Sequence, residues 1–351
     1  MKYKILGKSG LKVSELSLGT MTFGEEWGWG SSREESRKVF DAYVEAGGNF
    51  FDTANIYTKG TSERFLCEFV GPERHRFVIA SKYTLNHRPE DPNAGGNHRK
   101  SMVQALEGSL RRLNTDYIDL YWVHAWDGIT PLDELMRALD DQVRLGKVLS
   151  VGFSDAPAWV VARANTLAEL KGWTPFTGIQ VLYNLAERTV ERELLPMARA
   201  LDIGVAVWSP LAGGVLTGKY NAMTNDPRRF TPENPRTPAF VNPRSLEIAQ
   251  AVVDIAKALN RTPSQVALNW LRQKKDKGVL VPIIGGRNAG QIRDNLACLT
   301  FELKAEHMAK LDQVSAISLG FPHDFLSTDL MRALIHGRTE ADLEAGLGLA
   351  A

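Results

Sequence analysis

Cysteine is scarce: 351 residues hold only Cys67 and Cys298. That excludes a disulfide scaffold and a cysteine zinc site, and it suits a reducing compartment. Neither charge is in excess. The 42 Lys and Arg against 41 Asp and Glu give a formal net charge of +1, without the basic excess or stripe of a nucleic-acid binder. Long apolar runs are missing too. No segment approaches the roughly 18 uninterrupted apolar residues of a membrane span, and the first 19 residues lack the apolar stretch of a signal peptide. His75, His87, His98, His307, His323 and His336 show no metal-ligand spacing, so no metal is expected. Gly19-Thr20-Met21-Thr22-Phe23-Gly24 does not fit the G-x-G-x-x-G fingerprint that an open doubly wound sheet would carry after its first strand. These absences leave a cytoplasmic, soluble enzyme of small molecules, monomeric or a small homo-oligomer, with no nucleic-acid or membrane partner.

What the sequence does contain is an alternation. Short β-rich runs lie at Val13–Leu18, Asn49–Asp52, Phe77–Lys82, Tyr117–His124, Val148–Ser154, Gly178–Tyr183, Gly204–Trp208 and Val279–Ile284. Several are nearly continuous apolar runs, as in strands covered on both faces. Helical patterns separate them: Ser32–Ala46, Arg99–Leu113, Leu132–Leu145, Ala158–Leu170, Glu191–Leu201, Ser264–Gln273 and Ala289–Leu296. Eight strand–helix units predict an α/β fold, a closed (β/α)8 barrel of the TIM type. Tyr3–Leu6 and Leu11–Val13, joined by Gly7 to Gly10, read as a hairpin capping its N-terminal end. Pro210 to Pro243, rich in Gly, Pro, Asn and Thr, is a long loop after strand seven. The barrel is expected over residues 1–317, with 318–351 a C-terminal tail of the same domain. In that tail, Thr328 or Ser327 caps a helix Asp329–Ile335, and Arg338 onward is polar enough to be loose. Phe321, Phe325 and Leu326 are costly to leave in water, so they are expected to pack, at the substrate mouth or at an interface.

Chemistry in such barrels gathers at the C-terminal strand ends. Strand two ends in Asp52, strand three in Lys82 and strand four in His124, and Tyr57 follows Asp52 on the same loop. Singly, each has an ordinary structural explanation. Together they form an apparatus. A phenol with a pKa of about 10 is a poor acid at neutral pH; a neighbouring ammonium lowers that pKa, a carboxylate holds the ammonium in place, and a histidine bonds a substrate oxygen. Such a group protonates a carbonyl oxygen while a hydride arrives from elsewhere. Trp27, Trp29, Tyr83 and Trp126 follow strand ends and would wall a pocket for an aromatic or bulky apolar carbonyl.

At these residues the chain resembles the aldo-keto reductases. Phe51-Asp52-Thr53-Ala54-Asn55-Ile56-Tyr57 followed by Gly60-Thr61-Ser62-Glu63 is similar to the family's first signature, with Thr58 where Gly is usual. Arg111-Arg112-Leu113, Thr115 to Leu120, Gly152-Phe153-Ser154, Ser209-Pro210-Leu211, Leu216-Thr217-Gly218-Lys219 and Pro282 to Arg287 also match, over roughly Tyr3 to Ser315. Asp155 stands where Asn is usual. The long loop after strand seven resembles the bacterial aryl-alcohol-dehydrogenase-like and potassium-channel-β-subunit-like branch. The resemblance implies Tyr57 as general acid, Asp52 and Lys82 as its tuning pair and His124 orienting the carbonyl. It implies NADPH, with NADH weaker, as cofactor. Trp208 would stack on the nicotinamide, with Ser154, Asp155 and Gln180 at its carboxamide. Gly19, Thr20, Met21, Asp52, Ser209, Pro210, Leu211, Gly213, Gly218, Lys219 and Ile284 would line the rest of the cleft. Gly285, Gly286 and Arg287, at a helix start, would take the 2′-phosphate, and Gln291 and Asn295 the adenosine. Gly213 to Lys219 nearly spells a P-loop, but Tyr220 stands where Ser or Thr would bind Mg²⁺. The activity implied is reduction of aldehydes or ketones to alcohols. The alternative is a redox-sensing or regulatory barrel subunit with slow turnover.

Overall fold

In the computed structural model, which describes residues 1–222 and 228–337, ten strands are present. β1 (Tyr3–Ile5) and β2 (Lys12–Ser14) form an antiparallel hairpin. β3 (Ser17–Gly19), β4 (Phe50–Asp52), β5 (Val78–Tyr83), β6 (Ile118–Val123), β7 (Val148–Ser154), β8 (Phe176–Leu182), β9 (Gly204–Trp208) and β10 (Leu280–Ile284) close in that order into a parallel barrel, β10 pairing with both β9 and β3. The helices are α1 (Arg33–Glu45), α2 (Thr61–Val70), α3 (Arg99–Leu113), α4 (Leu132–Arg144), α5 (Ala158–Lys171), α6 (Leu194–Ala200), α7 (Thr237–Phe240), α8 (Pro243–Leu259), α9 (Pro263–Gln273), α10 (Ala289–Leu296), α11 (Ala305–Val314), α12 (His323–Leu326) and α13 (Asp329–His336). Among the described residues no helix is long and apolar enough to cross a membrane.

The expected strand Val13–Leu18 is in fact two. Val13 and Ser14 belong to the hairpin, and the barrel begins at Ser17. The chain turns between them because Ser14 is held locally: its amide donates to Asn49 Oδ1 (2.7 Å) and its hydroxyl to the Leu16 carbonyl (2.8 Å). The loop expected up to Pro243 ends there because Asn242 caps α8, with Pro243 in the first turn and Ser245 completing a capping box. Neither α8 nor α2 stands among the helical patterns read from sequence.

Strand alternation sorts the core into two layers. Phe50, Val78, Ala80, Leu120, Trp122, Ala206, Val281 and Ile283 fill the barrel, with Leu6 and Val13 of the hairpin plugging its base. Trp122 spans the interior because Gly152 and Gly178 face it: a Cβ on either would lie 2.2 and 2.9 Å from its ring. Phe51, Ile79, Tyr83, Tyr121, Val123 and Phe153 point outward into the layer shared with the helices.

The tail is tied to the connection that leaves β8: Arg192 donates to the Ser318 carbonyl (2.9 Å) and the His323 ring meets Glu193 (3.0 Å). Thr328 caps α13 through the Met331 amide. Among the described residues of one chain the expected packing of the tail is not met. Phe321 is 85% exposed, and Phe325 and Leu326 are about half exposed, Phe321 and Phe325 meeting only each other (6.0 Å) among the ring contacts of described residues. Arg338 onward lies outside the described residues.

Candidate active site

Alternation also decides which strand-end side chains face the barrel mouth. In β5, Val78 and Ala80 point inward, so Lys82 does as well; in β6, Leu120 and Trp122 do, so His124 follows; in β4, Phe50 points inward and Asp52 continues the series. The same parity in β7 and β9 brings Ser154 and Trp208 to the top layer, and Gln180 reaches it from β8. It also overturns one expectation. Tyr83 is out of phase with Lys82, fully buried outside the barrel, stacked on Tyr121 (5.4 Å) and donating to the Asn97 carbonyl. It does not wall the pocket.

The four chemical residues converge. Lys82, fully buried, pairs with Asp52 Oδ1, donates to the Thr53 carbonyl (2.8 Å) and lies 3.2 Å from the Tyr57 hydroxyl. Asp52 Oδ2 accepts from the Gln180 amide (2.8 Å), so both carboxylate oxygens are held. The Tyr57 ring meets His124 edge-on (6.0 Å) and Trp27 edge-on (6.1 Å), and Trp27 contacts Trp29 (5.6 Å). Burial pushes the Lys82 pKa down, but Asp52 and Tyr57 more than reverse it, so the ammonium stays charged. The expected fall in the Tyr57 pKa does not follow. Burial raises it, and the pull of Lys82 does not overcome that, so the phenol keeps its proton at rest. Burial, with the Lys82 charge behind it, lowers His124 to about 3, which keeps its imidazole neutral; its Nδ1 is buried without a partner among the described residues.

Tyr57 is held by an unusual turn. Thr58, Lys59 and Gly60 all have positive φ (46°, 53°, 86°) before α2 begins. A β-branched residue is strained there, which accounts for glycine in the usual pattern. Thr58 is buried, and its hydroxyl donates to the Phe23 carbonyl (2.6 Å) and accepts from the Ser62 amide (3.1 Å), which offsets the strain. Asp155 likewise has positive φ (47°), a conformation aspartate tolerates. Its Oδ1 accepts from the Trp208 indole N–H (3.0 Å). Where an amide would donate, this carboxylate fixes the tryptophan.

The remaining expected residues lie along the same rim. Gly19, Thr20 and Met21 leave β3, and Thr20 is bonded to Asp52 and Ser62. Ser209, Pro210, Leu211, Gly213, Gly218 and Lys219 follow β9, where the amides of Gly213, Gly214 and Gly218 already donate within the turn. Ile284, Gly285, Gly286 and Arg287 lead from β10 into α10. The Arg287 amide donates to Gln291 Oε1 (2.8 Å), Asn295 is buried against the Gly285 carbonyl (3.3 Å), and Thr22 and Ser31 bond the Gly286 and Arg287 carbonyls. Trp126 packs edge-on to Phe153 (6.1 Å). Sequence reasoning misses Arg229, whose guanidinium lies 5.4 Å from the Trp29 ring centroid. The only signal was a pair of arginines beside Phe230 in the long loop. Among the described residues no group of three or more His, Cys, Asp or Glu gathers as metal ligands.

Comparison with known proteins gives the same picture from a separate direction. The model of the aldo/keto reductase family matches residues 15–316. The chain is 33% identical to norsolorinic acid reductase of Aspergillus flavus over 335 residues, covering 92% of this chain and 84% of that protein. It is 35% identical to the aryl-alcohol dehydrogenase [NADP(+)] of Phanerodontia chrysosporium (90% and 86%) and to norsolorinic acid reductase B of Dothistroma septosporum (94% and 86%). With the family match running from the first barrel strand through the last barrel helix, the chain belongs to the aldo/keto reductase family and is an NAD(P)H-dependent oxidoreductase.

Proposed function

We propose that the protein reduces aldehydes and ketones to alcohols, using NADPH in preference to NADH, with Tyr57 as the general acid. The observation that carries this reading is the Lys82 ammonium 3.2 Å from the Tyr57 hydroxyl, itself clamped by Asp52. A protonated phenol and a neutral imidazole converge on one point, where a carbonyl oxygen accepts a hydrogen bond from each. As negative charge grows on that oxygen, the Tyr57 proton moves to it and Lys82 stabilises the phenolate left behind. Bound reduced nicotinamide supplies the hydride.

The rim suits that cofactor. Gly285 presents bare backbone to open space, the nearest atom to a Cβ there being the Gly19 carbonyl at 4.0 Å, so a ligand approaches the backbone closely between the two loops. Trp208, fixed by Asp155, offers its ring face; Ser154 and Gln180 stand beside it for the carboxamide. Lys219 offers the pyrophosphate a cation, Arg287 offers one to the 2′-phosphate at the start of α10, and Gln291 and Asn295 face the adenosine. NADPH oxidation with a panel of aromatic aldehydes tests the reading. Multiple turnovers at about 1 s⁻¹ or faster are expected of an ordinary enzyme. A single slow turnover with every aldehyde would favour the redox-sensing subunit instead.

A further inference from the structure

The His124 imidazole has to meet a carbonyl oxygen at a fixed place, yet its Nδ1 is buried without a partner among the described residues. A reactive histidine is commonly oriented by a hydrogen bond to its second nitrogen. Here the ring contact is with Tyr57 (6.0 Å), itself a reacting group. The place of the imidazole is therefore set by the main chain that carries it.

That main chain is clamped. The His124 amide donates to the Tyr83 carbonyl (3.1 Å) and to the Thr84 hydroxyl (3.3 Å). Beyond it, Asn97 holds the chain on both sides of Trp126. Its Nδ2 donates to the Ala125 carbonyl (2.8 Å) and the Thr84 hydroxyl (3.0 Å), and its Oδ1 accepts from the Asp127 amide (2.9 Å). Asn97 is fully buried, and its backbone is committed as well: its amide donates to Asp127 Oδ2 (2.8 Å) and its carbonyl accepts from the Tyr83 phenol (3.2 Å). One side chain thus ties the connection leaving β5 to the connection leaving β6. Among the described residues it bonds none of Asp52, Tyr57, Lys82 and His124 directly, so it acts by placing the chain.

Thr84 shows what the arrangement costs. Its φ of 106° is a conformation that a β-branched residue rarely adopts, and it is buried with its hydroxyl shared between Asn97 and His124. Such strain persists only where the surroundings over-determine it, and it gathers at functional sites.

We propose that Asn97 is a positioning residue for carbonyl reduction: by clamping Ala125 and Asp127 and seating the Thr84 hydroxyl against the His124 amide, it fixes where the His124 imidazole meets the substrate oxygen. This rests on the carbonyl-reductase reading above.

The test is a double-mutant cycle on the full chain, with single and multiple turnovers of 2-naphthaldehyde followed beside NADPH binding by fluorescence. Asn97→Ala should lower kcat and kcat/KM by the same factor, about 10²-fold, the scale of a misplacement of about 1 Å. NADPH affinity should stay within about threefold, because the interaction removed acts in the transition state. In a His124→Ala background the same change should cost less than about threefold, since residues that act as a unit do not add. Thr84→Val removes the shared hydroxyl and should lower kcat about 2- to 10-fold, the scale of one hydrogen bond; Thr84→Ser keeps it and should restore the wild-type rate. If Asn97→Ala does not fold, the two Thr84 variants crossed with His124→Ala decide the question in the same way. Wild-type kcat in Asn97→Ala overturns the proposal. An equal loss with and without His124 overturns it too, as does a loss confined to NADPH affinity. A wild-type protein that turns over no aldehyde removes the reductase reading instead.

Discussion

The two ends of the barrel both bury charge, and they do it differently. At the hairpin end, Glu15 and Arg272 pair at 3.0 Å; Glu15 also accepts from the Lys2 amide and Arg272 donates to the Cys298 carbonyl. Lys4 reaches the Leu280 carbonyl (2.5 Å). Each of these charges meets a partner within the protein. At the other end the Asp52–Lys82 pair is more deeply buried, yet it reaches a phenol at the mouth, beside a neutral histidine whose Nδ1 has no partner among the described residues. Charge partnered within the protein is costly only when its partner is lost; charge reaching the mouth is also available to a ligand.

The sharpest way to break this comparison is Tyr57→Phe. Carbonyl turnover should fall by about 10²–10⁴, the scale of general acid catalysis, while NADPH binding, followed by protein fluorescence, changes only a few fold. Near-normal turnover would remove Tyr57 from its role.

Next comes a matched pair of variants. Lys82→Met and Arg272→Met each strand a buried carboxylate, and each should lower unfolding stability by about 3–5 kcal/mol in denaturant titrations. Only Lys82→Met should also abolish turnover in the protein that remains folded. Equal kinetic loss in both would mean that the ends are not functionally distinct.

Arg287→Ala probes the rim alone. NADPH affinity should drop roughly 10- to 150-fold with NADH nearly unchanged. Equal weakening of both cofactors in direct binding would make Arg287 structural.

The effect furthest from the site belongs to the hairpin end. Burial lowers the Lys4 pKa to about 8 from its ordinary 10.5. Between these values the unfolded chain holds more protons than the folded one, so stability rises with pH across that window, by up to about 3 kcal/mol, and the penalty is fully present below pH 8. Lys4→Met should flatten the rise between pH 8 and about 10. An unchanged slope would show that Lys4 is not the group responsible.

Most of the barrel was legible in the sequence because parallel strands buried on both faces leave apolar runs, and helix ends leave caps. β7 and β9 fall at Val148–Ser154 and Gly204–Trp208 as read, and α3 and α10 at Arg99–Leu113 and Ala289–Leu296. The failures have local causes. Val13 to Leu18 looks like one strand because Val13, Leu16 and Leu18 leave no turn residue between hairpin and barrel strand. Tyr83 looks like a pocket residue because distance from a strand end carries no phase; one step along β5 separates Lys82 in the mouth from Tyr83 in the outer layer.

The sequence by itself determined the family, the barrel, and Asp52, Tyr57, Lys82 and His124 as a set, since motif and strand-end position are properties of the chain order. Only the tertiary structure decided how they act on one another. Whether burial or the Lys82 ammonium governs the Tyr57 proton depends on depth and distance, and here burial prevails. That Asp155 holds Trp208, and that Arg229 reaches across from the long loop to Trp29, depends on segments 53 and 200 residues apart meeting at one rim. Neither contact leaves a periodicity to read, because side chains from loops are brought together by barrel closure and not by spacing along the chain.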